Sequence, residues 1–178
     1  MTKPVLSRST APEGLPVHNV VPGAVQLINR LVQSPPAPGV CLSAGFPTPG
    51  LDVETLQMLS AAGADVLEIG LPAAHTPHDG PVVAEANQRS LAHGTSTERF
   101  FTTVRRAAET TQAGVLVMTY WEPGRAYAPD QFALELAAAG AAGTLIPDLP
   151  PAEAAAWSAA ARAAGLHNLQ FPPPGHRQ

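Results

Sequence analysis

The sequence predicts a parallel α/β fold, a sheet of about five strands with helices packed outside it. Two observations carry that expectation. From Val40 onward, short apolar runs alternate with longer segments whose apolar residues recur every three or four positions, as strand and helix do in turn. The short runs are also apolar throughout, as in Gly114-Val115-Leu116-Val117-Met118-Thr119, where a half-exposed antiparallel strand would alternate with polar residues. Such runs belong to a parallel sheet covered by helices. Periodicity alone leaves open whether that sheet is doubly wound or curves into a barrel.

Residues 1–19 lack periodicity and read as a flexible leader, with the folded domain expected over 20–178. Val21, Val25, Ile28 and Val32 place an amphipathic helix over 20–32, ended by the Pro35-Pro36-Ala37-Pro38-Gly39 cluster. Val40 to Ala44 is the first strand. Asp52 is placed to cap a helix whose Val53, Leu56 and Leu59 face inward and which ends near Gly63. Ala64 to Ile69 is the second strand, followed by a long loop to Gly80. Pro81 suits a first helical turn and opens a helix to about His93, with another from Thr97 to Thr110. Gly114 to Thr119 is the third strand, Pro129 to Ala139 a helix, and Gly143 to Ile146 the fourth strand. Pro151 to Ala164 is a further helix, and Leu166 to Phe171 a weak fifth strand. The Ala-rich stretches read as plain helices setting small residues against the sheet.

Composition narrows the function. At 178 residues the chain suffices for one domain with a sizeable core. A net charge of −4 with no run of Lys or Arg gives neither a nucleic-acid footprint nor an anionic-membrane patch. No apolar stretch reaches the roughly 18 residues of a membrane span, and the N-terminus has no apolar signal region. Cys41 is the single cysteine, so intramolecular disulfides and paired-cysteine zinc sites are excluded. A cytoplasmic protein is expected.

Reactive groups in parallel α/β proteins gather at the carboxyl ends of the strands. Glu68 stands there, inside the apolar run Val66-Leu67-Glu68-Ile69-Gly70. A carboxylate among apolar neighbours is costly unless it is paired or keeps its proton. It is therefore either an acid/base group with a raised pKa or a structural carboxylate bonded to a neighbouring strand. Asp79 precedes a helix and either caps it or leans over the strand ends as a second carboxylate sharing acid and base work with Glu68. Tyr120 and Asp148 end the third and fourth strands, where each either lines a substrate pocket or packs. His75, His78 and Asp79 form a His-x-x-His-Asp string, but loop spacing of three does not aim two imidazoles at one point, and no metal is expected. Cys41 reads as a small buried hydrophobe.

Four segments, in order, resemble the tryptophan synthase alpha chain family. They are Leu42-Ser43-Ala44-Gly45-Phe46-Pro47-Thr48, the run from Ala61 to Pro72 with Asp79-Gly80-Pro81 after it, Met118-Thr119-Tyr120-Trp121-Glu122-Pro123, and Gly143-Thr144-Leu145-Ile146-Pro147-Asp148-Leu149-Pro150. The resemblance covers about Val20 to Pro172. It implies part of a TIM-type (β/α)₈ barrel, about five of its parallel strands with outer helices. It also implies cleavage of indole-3-glycerol phosphate to indole and glyceraldehyde 3-phosphate, in tryptophan biosynthesis. Glu68 would protonate the indole ring carbon and help deprotonate the glycerol hydroxyl, and Asp79 would accept the indole N–H. The implied partner is a beta chain carrying pyridoxal phosphate, with no cofactor in this chain. Ala73-Ala74-His75-Thr76 stands where the family usually reads Phe-Ser-Asp-Pro, and Glu122 where it usually has Asn.

A full barrel of this kind takes roughly 250 residues. The family's glycine-rich phosphate loops after strands seven and eight have no counterpart here. The 178-residue polypeptide by itself is therefore expected to be a poor or inactive catalyst and poorly stable. Three readings follow: an alpha-chain lyase, a non-catalytic relative binding a partner through its strand-end loops, or a barrel remnant from an interrupted reading frame.

Overall fold

The computed structural model describes residues 37–169. The leader over 1–19, the helix over 20–32 and the end of the fifth strand lie outside the described residues. The strands are β1 (Gly39–Ser43), β2 (Val66–Gly70), β3 (Gly114–Met118), β4 (Gly143–Leu145) and β5 (His167–Leu169). The helices are α1 (Leu51–Ala61), α2 (Pro81–Ala92), α3 (Thr97–Thr110), α4 (Trp121–Ala126), α5 (Pro129–Ala138) and α6 (Pro151–Ala163). The sheet order is β1-β2-β3-β4-β5 and every neighbouring pair is parallel, as the sequence predicts.

The two-residue alternation of strands decides what faces the helices. Leu67 and Ile69 on β2, and Val115 and Val117 on β3, enter the core beneath the helices. Val40 and Leu42 on β1 pack against the same core. The opposite face carries Cys41, Glu68 and Leu116, level with one another in the register. Cys41 therefore corrects one expectation: it is exposed on this second face, because its odd-numbered position sends it away from Val40 and Leu42.

Aromatic side chains fill the space between sheet and helices. Phe132 of α5 contacts Phe101 of α3 at 5.9 Å between ring centroids and Trp157 of α6 at 6.2 Å. Trp121 meets Trp157 edge-on at 5.9 Å, a geometry that sets a positive ring edge on a negative face. Ala160, Ala161 and Ala164 are buried beside them, so the Ala-rich segment is ordinary helix packing close to the sheet.

Two local features depart from the sequence expectation. Helix α4 forms between the third strand and the helix at Pro129, where no element is expected from the sequence. Pro123 falls in the first turn, where its missing N–H removes no helical bond. Asp52 is not the N-cap of α1. That position belongs to Gly50, and Asp52 is the second helical residue, fully buried. Its Oδ2 accepts the backbone N–H of Gly45 at 2.9 Å.

Gly45 turns the chain out of β1 with a φ of +80°, a left-handed conformation that strains any residue with a Cβ. A Cβ built there runs into the Thr95 side chain. Gly45→Ala is expected to cost about 1–3 kcal/mol. A urea midpoint that falls at unchanged slope would register this, and an unchanged midpoint would refute it.

Candidate active site at the strand ends

Glu68 is carried by β2 on the face turned away from the helices, two residues before the strand ends at Gly70. It lines a cavity of about 320 Å³, within the range of roughly 300–1,000 Å³ usual for small-molecule sites. Leu71, Val83, Met118, Leu145 and Pro147 give that cavity apolar walls. Its polar groups are few and converge, with Glu68, Asp79, Tyr120 and Asn87 among them.

Burial raises the pKa of Glu68 above the ordinary carboxylate range, and the negative charge of Asp79 raises it further. A hydrogen bond with the Cys41 thiol opposes this without cancelling it. Cys41 is open to the cavity, yet the surrounding walls desolvate its sulfur. That desolvation, with the adjacent Glu68 carboxylate, pushes the thiol up to about 12. Cys41 is thus a neutral neighbour of Glu68 and not a thiolate nucleophile.

The cap of α2 is Gly80 and accepts no side-chain bond, so Asp79 does not take the capping role. Its Oδ1 accepts the Tyr120 hydroxyl at 3.0 Å, and its Oδ2 accepts the Asn87 amide at 2.9 Å. The Tyr120 hydroxyl in turn accepts the His78 backbone N–H at 3.2 Å, and the two rings stack with centroids 6.3 Å apart. Tyr120 is buried, and burial first, then the bond to Asp79, pushes its phenol up to about 12.

Asn87 and Ser43 escaped the sequence reading. Ser43 donates to Asn87 Oδ1 at 2.8 Å, and both are buried. A signal existed, since Val83, Asn87 and Ser90 lie at four- and three-residue steps on one face of α2. Two polar residues on a stripe of that kind ask for polar partners.

Asp148 is not among the residues that line the cavity, although its neighbour Pro147 is. Its Oδ1 accepts the Trp121 backbone N–H at 2.8 Å and so secures the first turn of α4. Among the described residues, no group of three or more His, Cys, Asp and Glu is arranged to hold a metal ion. None of the described helices is long and apolar enough to cross a membrane. The arrangement offers a carboxyl whose pKa is raised by burial and a second carboxylate used as an acceptor, between apolar walls.

A profile of the family described as tryptophan synthase alpha chain matches residues 40–178. The tryptophan synthase alpha chain of Thermobifida fusca is 42% identical over 126 residues, covering 71% of this chain and 46% of that protein. That of Streptomyces coelicolor is 39% identical over 160 residues, covering 87% of this chain and 59% of that protein. The chain thus spans about half the length of the curated relatives it matches. Among solved structures, a tryptophan synthase from M. tuberculosis in an aminoacrylate-bound form superposes with a TM-score of 0.78 at 31% identity. The match covers 90% of this chain and 64% of that one. The alpha chain from Legionella pneumophila superposes with a TM-score of 0.68 at 36% identity, covering 74% of this chain and 49% of that one. The five parallel strands with their outer helices are a partial barrel of the TIM type.

Proposed function

The chain belongs to the tryptophan synthase alpha chain family, and from that premise we propose that its site cleaves indole-3-glycerol phosphate to indole and glyceraldehyde 3-phosphate. One observation carries the reading: Glu68, its pKa raised by burial, and the acceptor Asp79 share one apolar-walled cavity. Glu68 gives its proton to the ring carbon that bears the glycerol chain. The positive charge that develops at the ring nitrogen is stabilised by Asp79, which accepts the N–H. The carboxylate left on Glu68 then takes the proton of the glycerol hydroxyl. That oxygen becomes a carbonyl, the carbon–carbon bond breaks, and its electron pair restores the indole ring.

No step in this sequence requires a cofactor from the residues named. The implied partner is a beta chain that holds pyridoxal phosphate and consumes the indole, in a cytoplasmic setting. The test is indole release from indole-3-glycerol phosphate by the 178-residue polypeptide, alone and with a tryptophan synthase beta chain. Release that a beta chain enhances supports the lyase. No release under either condition, or release unchanged by Glu68→Gln, overturns it.

A further inference from the structure

We propose that Asn87 and Tyr120 are positioning residues that clamp Asp79 from two sides and hold its free lone pairs for a ring N–H entering the cavity. The inference rests on the reading above that Asp79 accepts the substrate N–H. It gives Tyr120 a task other than the substrate contact the sequence suggested.

Asp79 sits on the loop between β2 and α2, where a short carboxylate has no helix or strand to fix it. A carboxylate offers about four acceptor positions. Two are used, one on each oxygen, by Tyr120 at the end of β3 and Asn87 on α2. Two donors on different oxygens fix the plane of the group, which a single donor does not.

Each donor is itself oriented by a third group. Ser43, on β1, donates to Asn87 Oδ1, so the Asn87 NH₂ is turned to Asp79. That amide orientation is the one an acceptor-only carboxylate requires. The His78 N–H occupies a lone pair of the Tyr120 oxygen, so the phenolic proton is directed to Asp79. Two relays, Ser43 to Asn87 and His78 to Tyr120, thus converge on one side chain. Asn87 and Tyr120 are buried, whereas Asp79 is only half-buried and lines the cavity. The two buried donors thus rigidify a group that is open to the cavity.

The test follows the N–H proton of ¹⁵N-labelled indole by NMR on titration into the full chain. N-methylindole, which lacks the N–H, is the competitor. Bonding to a carboxylate moves that proton downfield. The expected result is a downfield displacement in the wild type that is absent in Asp79→Asn. It is reduced in Asn87→Ala and in Tyr120→Phe and lost when the two are combined, while indole still binds. Tyr120→Phe removes one oxygen and keeps the stacked ring, so it carries the test if Asn87→Ala does not fold. A full displacement in both single variants overturns the clamp and leaves the role of Asp79 standing. No displacement in the wild type, or one that survives Asp79→Asn, removes the role of Asp79 and the clamp with it.

Discussion

Replacing Glu68 with Gln is expected to lower indole release by about 10²–10⁴-fold, the usual contribution of a positioned general acid/base. Gln keeps the size and hydrogen-bonding reach of the side chain but has no proton to give the ring carbon. The loss should therefore fall on kcat, with KM little changed, in whichever preparation turns over best. The same substitution separates catalysis from stability. Burial, with Asp79 second, raises the folded-state pKa of Glu68. A carboxyl raised on folding contributes stability that is complete below the unfolded carboxylate range and is lost as pH rises through the raised value. At higher pH the folded protein thus carries an unfavourable buried charge that Gln removes. Glu68→Gln should raise Tm at pH 8 and gain little at pH 4. A variant that loses activity and is also less stable at pH 8 would show that Glu68 is a structural carboxylate.

Much of this site was legible in the sequence, and the reason is the regularity of parallel strands. Alternation along Val66-Leu67-Glu68-Ile69-Gly70 separates Glu68 from the two core residues beside it, so its face follows from spacing alone. The same rule, applied to β1, would have placed Cys41 on that face as well. The apolar run around it instead suggested a small buried hydrophobe, and the structure corrects that. Helix α4 is six residues long, too short to show a helical repeat, and its Pro123 is tolerated because it falls in the first turn. Asn87 and Ser43 were hidden for a different reason. Their partners lie 44 positions apart in the chain, and only the pairing of β1 with β2 and the packing of α2 bring them together. Local pattern reports faces and ends of elements. It does not report which polar groups meet across them.

Asp52→Ala is expected to cost about 3–5 kcal/mol, more than any surface change in the molecule. Asp52 is fully buried, and its carboxylate gathers donors from three elements. Oδ2 accepts the Gly45 N–H at 2.9 Å and the Thr103 hydroxyl at 2.7 Å. Oδ1 accepts the N–H groups of Gly50 and Val53, each at 2.9 Å, and lies 3.6 Å from the Arg99 guanidinium. The end of β1, the first turn of α1 and the middle of α3 are thereby joined through one side chain. Ala would leave the buried Gly45 N–H without its acceptor, at about 1–3 kcal/mol for an orphaned group, and the Thr103 hydroxyl with only the longer bond to the Arg99 carbonyl at 3.3 Å. Asp52→Asn should cost less, because it keeps the side chain's size and one acceptor oxygen for two of the four donors. Acidity supplies a second check. Burial alone would raise the pKa of Asp52, but the bonds from Thr103, Gly45, Gly50 and Val53 together hold it below the usual range. A carboxyl lowered on folding contributes stability above the unfolded range that is lost as pH falls through its folded value. The gap between wild type and Asp52→Ala should therefore be full at neutral pH and narrow in acid. Urea unfolding at pH 7 and at pH 3 measures both effects. A loss within about 0.5 kcal/mol at pH 7, the scale of an ordinary surface substitution, would show that the three elements hold together without this carboxylate.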